Sequence, residues 1–552
     1  MSIWSKYLKG KKYIDDKGLV DKHNWYWDMY LGDQWKGVKS MSELPVMNFI
    51  KPVVDYKAAA IGQNQMTAIY SDDNTEHEEV YKRLNAFYRR CWDKEDMDIK
   101  LFHMIEHAGI LGDSVLYFGK KDEARIVPPS NVIYADEQSS DVQTQKYIII
   151  RIRPFVKDVK KTAQKNGIDE SLIQSITSDT EPDYIVGERK DVDYDADDGK
   201  CTAVIYFEKI DGIVHIARAT AECEYQPLHP IAMTDESGTP LVGCEYYPIV
   251  KLICQEKPNS ARGRGWVQDL IPNQIEVNKT YARVSQANAN TAYPRVAYNA
   301  SMIQNPEDLN NIGAPIEIDG TAQSVSQIIS YLQGTPMSSS VFTYADTMLT
   351  TTKQLAGAND SISNISDPSR VSGTALQEIR EQTTINLKGN LINVKNLYRD
   401  IARIKMDMWQ VYYPGGIDVR REPTPEEQEL INSGQPVDLI EHIDGELLRS
   451  LEPDVTIDVT LRTESTKADQ QTVVDAQLDK GRITFSEWVD VVDEDGVVPK
   501  QRFEKLIQKR KDEGRDVDTG LPLQTLMPEQ QINPQQEVPQ QVQPDNGSQA
   551  QA

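Results

Sequence analysis

The sequence predicts an α+β chain, and three observations carry that expectation. Apolar residues recur at helical spacing through the first 111 positions; strand-like alternation takes over between 115 and 219; long helices return from 266 onward, two of them almost without an apolar stripe.

Trp25, Tyr26, Trp27, Tyr30 and Trp35 crowd a helix that should turn at Gly32-Asp33, a packing anchor. Residues 49–66, 76–91 and 96–111 read as helices, the last stopping at Gly112. Val115 to Phe118 reads as a short strand, residues 126–134 as a turn through Pro-Pro-Ser-Asn, and residues 147–153 as a half-buried alternating strand. Acidic residues dominate 168–200, which reads as an exposed loop. Strands at 201–208 and 213–219 flank Asp211-Gly212, a dipeptide suited to the positive φ angles of a tight hairpin.

From Trp266 to Ala292 a helix of about 39 Å is expected, its second half small and polar. Such a helix has no single core to sit on, so it needs copies of itself, another domain or water against it. Residues 294–334 read as a compact insertion, 337–356 as a second polar helix rich in Ser and Thr, and 358–373 as a loop. The strongest helical pattern spans 374–409, over about 50 Å, until Pro414-Gly415-Gly416 stops it. Residues 455–461 alternate as a strand, helices follow near 467–478, 484–492 and 499–513, and the tail from 521, with ten Gln and five Pro, is too polar to build a core.

The 552 residues carry 60 Lys+Arg against 85 Asp+Glu, a formal net charge of −25, which argues against a protein that coats nucleic acid. Mean hydropathy is −0.54, and no stretch approaches the roughly 18 consecutive apolar residues of a membrane span. The N-terminus has basic residues without an apolar run behind them, so a cytosolic protein is expected. Five cysteines, at 91, 201, 223, 244 and 254, lack any zinc-finger spacing and read as reduced and structural.

The sharpest catalytic pattern is His103-Met-Ile-Glu-His107, the H-x-x-E-H arrangement in which two imidazoles one turn apart could ligate zinc beside Glu106. It opens the alternative of a zinc metallopeptidase, against a chance placement on a partly buried helix; no third ligand stands out. No phosphate-binding G-x-x-x-x-G-K-[ST] loop and no nucleophile elbow occur, and the acidic clusters at 191–198 and 490–495 lack EF-hand spacing. Arg262 and Arg264 read as a helix-start turn making salt bridges, while Arg370 sits alone in a polar loop that could meet a polyanion.

In this order the chain resembles the portal proteins of tailed double-stranded DNA bacteriophages. The resemblance rests on Tyr30-x-Gly32-x-Gln34-Trp35 with Pro45-x-x-Asn48-x-Ile50, and on Val127-Pro-Pro-Ser-Asn-Val-Ile-Tyr-Ala-Asp136. It continues in Gly263-x-Gly265 leading to Asn273-Gln274-x-x-x-Asn278-Lys279, and in Val371-Ser-Gly-Thr-Ala375. It implies a portal-type subunit with α/β wing, long-helix stem, small α/β clip and helical crown, assembled as a ring of about twelve around a DNA channel. Mapped onto this chain, the wing is 1–262, the first stem helix 263–292, the clip 293–335, the second stem helix 336–357 and the tunnel loop 358–373. The long wing helix is 374–413, the return strands 414–466, the crown 467–520 and a disordered tail 521–552.

The resemblance further implies that Asn359, Ser361, Ser363, Asn364, Ser366 and Arg370 border the DNA, and that Asn305, Glu307, Asp308, Asn310 and Asn311 meet partners at the clip. Asn278, Lys279, Arg283, Gln286 and Asn290 would line the stem. Implied partners are copies of the chain, the large terminase motor, a head-tail adaptor, capsid and scaffolding proteins, and DNA without sequence specificity, with no membrane. The implied place is the capsid vertex of the virion after assembly in the host cytoplasm; no cofactor and no catalysis are expected. A helical scaffold or adaptor that forms no ring is the other alternative.

Overall fold

The aromatic-rich start folds as α1 (Ile3–Asp16) and α2 (Leu19–Leu31), and α2 stops at Gly32, whose φ of 91° glycine adopts at no steric cost. The next helix, α3 (Ile50–Gly62), is shorter than its spacing suggests, because residues from Asn64 leave it as β1 (Asn64–Ser71). Long-range burial wins here. β1 pairs with the strand Asp454–Leu461, and Tyr70 sits 5.5 Å from the Tyr88 ring while its hydroxyl donates to the Ala402 carbonyl at 2.8 Å. Helices α4 (Glu78–Lys94) and α5 (Met97–Leu111) follow as their periodicity predicts, α5 ending at Gly112 with φ 110°.

The computed structural model describes residues 2–37, 44–72, 77–120, 123–181, 199–234, 240–292, 295–303, 305, 307, 309, 329–332, 338–355, 387–420, 439–461, 474–478, 480–491 and 500–517. The chain forms two units, Met1–Thr460 and Leu461–Ala552.

The middle of the first unit holds β2 (Asp113–Phe118), β3 (Ala124–Val127), β4 (Val132–Tyr134) and β5 (Tyr147–Ile152), then α6 (Val156–Lys165) and α7 (Glu170–Ser175). It continues through β6 (Ala203–Ile210), β7 (Ile213–Ala219), β8 (Gln226–Pro230), β9 (Ala232–Thr234), β10 (Pro240–Gly243) and β11 (Ile249–Ile253). Strands β4 to β8 form an antiparallel sheet in sequence order, and β11-β2-β3 form a second one. The β6–β7 turn has Asp211 at φ 52° and Gly212 at φ 86°, the hairpin geometry its sequence predicts.

Two expectations fail in this region. β5 does not alternate: Ile148, Ile149 and Ile150 are all fully buried. Its sheet is covered twice, since α1 lays Tyr7 and Ile14 on Ile149, Val204 and Tyr206 while Ile148, Ile150 and Phe207 face the central core. The stretch from 168 is not all loop, because α7 buries Ile173 in a small core with Val156, Val159 and Ala163 of α6, and Asp179 is held by Arg153. The acidic run 191–198 lies outside the described residues.

The remaining elements of the first unit are α8 (Trp266–Ala292), the antiparallel pair β12 (Arg295–Tyr298) and β13 (Ile329–Leu332), and α9 (Ser339–Leu355). After these come α10 (Lys388–Tyr412), β14 (Ile417–Arg420), β15 (Ile440–Ile443), α11 (Gly445–Ser450) and β16 (Asp454–Leu461). Helix α10 ends before Pro414 as predicted; the segment 374–386 expected to extend it lies outside the described residues. The central core joins α2, α3, α5, β2, β11, the first turns of α8 and the buried face of α10. In the second unit α12 (Phe485–Val491) and α13 (Lys500–Asp512) pack Trp488 against Phe503 with ring centroids 5.4 Å apart. Thr484 and Glu487 exchange side-chain-to-backbone bonds of 2.8 and 3.3 Å, a capping box that starts α12. Among the described residues no helix is long and apolar enough to cross a membrane.

Asp407 on α10 gives the core a pH dependence. Burial pushes its carboxyl up to about 6, although it accepts the Glu245 and Tyr246 backbone N–H groups at 3.0 and 2.9 Å. Because the folded-state value lies above the ordinary carboxylate value, the folded chain holds this proton between about pH 4 and 6 where the unfolded chain releases it. Stability is therefore expected to fall as pH rises through that window, by up to about 3 kcal/mol from this group, and Asp407→Asn should flatten the fall. Urea midpoints of both chains at pH 4.5 and 7 check this; equal pH dependence in the two would refute it.

Candidate functional site: the paired polar helices and their anchor

Helix α8 is two helices in chemical terms. Its first turns bury Trp266, Val267, Leu270, Ile271, Gln274 and Val277, whereas Lys279, Arg283 and Gln286 beyond them are exposed. Helix α9 runs against it through Asn273 Nδ2 to Thr352 Oγ1 at 2.9 Å and Tyr281 OH to Asp346 Oδ1 at 3.2 Å. The many hydroxyls of this pair are satisfied within their own helices: Thr280, Thr291, Thr347 and Thr352 each donate to the carbonyl four residues earlier at 2.7–2.9 Å. Phe342 and Tyr344 of α9 stand 41% and 52% exposed, a large aromatic surface on an otherwise polar helix.

The anchor at the base of α8 is built by backbone contact. Gly263 and Gly265 cross the end of α5 so closely that a Cβ on Gly263 would lie 2.1 Å from the Gly112 carbonyl oxygen, and one on Gly265 2.6 Å from that of Gly109. Gly109 in turn leaves room for the Trp266 ring. Beside this crossing Arg262 is buried; its guanidinium pairs with Glu137 at 2.7 Å and donates to the Pro129 and Val132 carbonyls at 2.6 and 2.7 Å. It also lies over the Tyr134 ring at 4.9 Å, with the Lys251 ammonium 4.6 Å from the same ring. Burial pushes Lys251 down to about 8 and raises the Asp113 carboxyl. The Pro-Pro-Ser-Asn turn, β4 and the start of α8 are thus tied by one buried cation.

A second clamp lies about two turns into α8. The Gln274 side-chain oxygen accepts from the Phe49 and Ile50 backbone at 3.1 Å each, and Asn48 Oδ1 accepts from Lys51 N at 3.2 Å, so the start of α3 is capped although its N-cap residue Phe49 has no polar side chain. Asn278 accepts from Met47 N at 2.7 Å and donates to Gln34 Oε1 at 2.6 Å. Gln274→Ala should lower stability by about 1–3 kcal/mol, since it strands the buried Phe49 and Ile50 N–H groups, and Asn278→Ala by about 1 kcal/mol through its lost bonds to Met47 N and Gln34; urea midpoints measure both, and losses below about 0.5 kcal/mol would contradict the clamp.

The expected site residues therefore divide. Asn278 is fully buried and bonded within its own chain, so it anchors α8. Lys279, Arg283 and Gln286 are exposed on α8, and Asn290 lies on its last turns. Asn305 and Glu307 are described; Asp308, Asn310 and Asn311 lie outside the described residues, as do Asn359, Ser361, Ser363, Asn364, Ser366 and Arg370. Arg262 and Arg264 make salt bridges, with Glu137 and Asp269, as the helix-start reading expects.

The H-x-x-E-H helix is part of the packing. His107 meets the Trp27 ring edge-on at 5.3 Å, burial lowers its pKa, and Glu106 accepts the Tyr30 hydroxyl at 2.7 Å. Among the described residues no three His, Cys, Asp or Glu side chains come together as metal ligands would. Sequence reasoning missed Glu137, Gly109 and Met47 as anchor residues. The available signals were the glycine three residues before the expected helix stop and the carboxylate just after the Pro-Pro turn.

The sequence over residues 232–552, more than half of the chain, matches the family model described as Phage P22-like portal protein. No curated protein matches the chain. The matched span covers α8, α9 and α10, and the first two motifs of the resemblance lie ahead of it. With the glycine crossing, the paired polar helices and this match in agreement, the chain belongs to the P22-like family of phage portal proteins.

Proposed function

We propose that twelve copies form a ring at one capsid vertex and that the ring encloses the channel through which double-stranded DNA is packaged and later ejected. Family membership itself makes the chain a structural, non-enzymatic portal protein, part of a homo-oligomeric ring in the virion capsid. The observation that carries the finer reading is α8, rooted in a buried, charge-locked base and then running out with Lys279, Arg283 and Gln286 exposed beside Phe342 and Tyr344 of α9. A helix pair built this way is a stem that needs neighbours around it.

In this reading residues 1–262 with 374–466 form the wing, 293–335 the clip that docks the terminase motor and the head-tail adaptor, and 467–520 the crown. Residues 358–373 reach into the channel, where Asn359, Ser361, Ser363, Asn364, Ser366 and Arg370 touch phosphates without reading bases. Twelve copies at −25 each carry −300 in formal charge, so the wall repels DNA and lets it slide. Negative-stain electron microscopy with mass photometry tests the reading. Rings with a central hole and a mass near twelve protomers are expected; a chain that stays monomeric at every concentration, and inside co-expressed capsids, would overturn it.

A further inference from the structure

Helix α10 turns one face to the central core through Val394, Leu397, Ile401 and Ile404. Its other face carries a single stripe, Lys388, Ile392, Lys395, Arg399 and Arg403, spaced four, three, four and four residues apart and so about 22 Å long. Ile392 is 52% exposed in the middle of it, and Lys388 and Arg403 are exposed at its ends. None of the four cations makes an ion pair with a described residue; Arg399 donates to Asn396 of its own helix at 3.3 Å. Asp400 is near enough for Arg403 and Arg399 to oppose the rise that burial causes in its carboxyl, yet it pairs with neither.

In a chain with 85 acidic and 60 basic residues, four cations in line along a rigid helix, none ion-paired among the described residues, suit an acidic partner. We propose that this stripe is one half of the contact between adjacent copies in the ring, seated on an acidic and partly apolar surface of the neighbour. The inference rests on the ring. A closed ring joins two different surfaces of each copy head to tail, so a cationic face needs no cationic twin opposite it. A second copy fits better than DNA for two reasons. Its surface is on balance acidic, and Ile392 at the centre of the stripe gains burial against a protein but stays wet beside phosphates.

The test uses the full chain and compares wild type, Arg399→Glu/Arg403→Glu and Arg399→Lys/Arg403→Lys by mass photometry across a concentration series, with thermal melting as the check on folding. The charge-reversed chain should melt like wild type yet need at least tenfold more protein to form rings, and the lysine variant should assemble normally. Acetylation of Lys388 and Lys395 should be slower in wild-type rings than in monomers. This second readout stands even where the charge-reversed chain misfolds.

Rings of the charge-reversed chain at wild-type concentrations, or equal acetylation in ring and monomer, would overturn the stripe alone. A wild type that never forms rings would overturn the ring and the stripe together. Intact rings that lose affinity for a random 30-base-pair duplex on charge reversal would assign the stripe to DNA instead.

Discussion

Replacing Arg262 by methionine is expected to cost about 3–5 kcal/mol of stability. The methionine fills a similar volume, so the loss comes from what it strands: the Glu137 carboxylate 14% exposed, and the Pro129 and Val132 carbonyls, which lose donors at 2.6 and 2.7 Å. Lysine should not rescue it, because one ammonium cannot reach Glu137 and both carbonyls in the planar fork that guanidinium provides. Adding Glu137→Leu to Arg262→Met should recover a good part of the loss, since removing both charges is far cheaper than removing one. Urea midpoints of the three variants measure it. A single substitution that costs under 1 kcal/mol, or a double variant worse than the single, would show that the buried pair does not hold the base of α8.

Much of this fold was legible because local chemistry and tertiary packing agree. Helix α5 has its apolar spacing and its terminal Gly112, the β6–β7 hairpin its Asp211-Gly212, and α10 its stop before Pro414. Where they disagree, a distant partner decided. Residues 64–66 continue the spacing of α3 but belong to β1, whose partner β16 lies some 390 positions away, and β5 lost its alternation because α1 covers the second face of its sheet. The candidate site shows the same split. The motifs around Gln34, Asn48 and Ile50 and around Gln274 and Asn278 are each visible in the sequence, yet only the fold reveals that they bond to one another. Asn278 looked like a surface residue because a polar amide on a polar helix usually is one. Nothing local signals that its two ends meet Met47 and Gln34.

Gly263→Ala is the second change expected to have a large effect, and for a different reason. Its new Cβ would sit 2.1 Å from the Gly112 carbonyl oxygen and 2.9 Å from the Ile253 side chain. The first of these is backbone, which cannot rotate away as a side-chain tip can. Relief requires parting the 261–265 segment from the end of α5, and both sides are pinned: Cys254 N donates to Gly112 O at 2.9 Å, and Arg264 N to Gln255 O at 2.8 Å. Overpacking alone costs about 1–3 kcal/mol, and the loss of one or both of these bonds adds to it, so a total above about 3 kcal/mol is expected. Gly389→Ala is the control. Among the described residues nothing lies within 4 Å of the new methyl there, in the first turn of α10, and alanine should stabilise that helix by about 0.5–1 kcal/mol. Opposite signs for two Gly→Ala changes in one chain, read as urea midpoints and as yield of folded protein, would show that the glycine spacing at 263 and 265 serves close backbone approach. A tolerated alanine at 263 would mean that the crossing can open, and α8 would then have no fixed base from which to project.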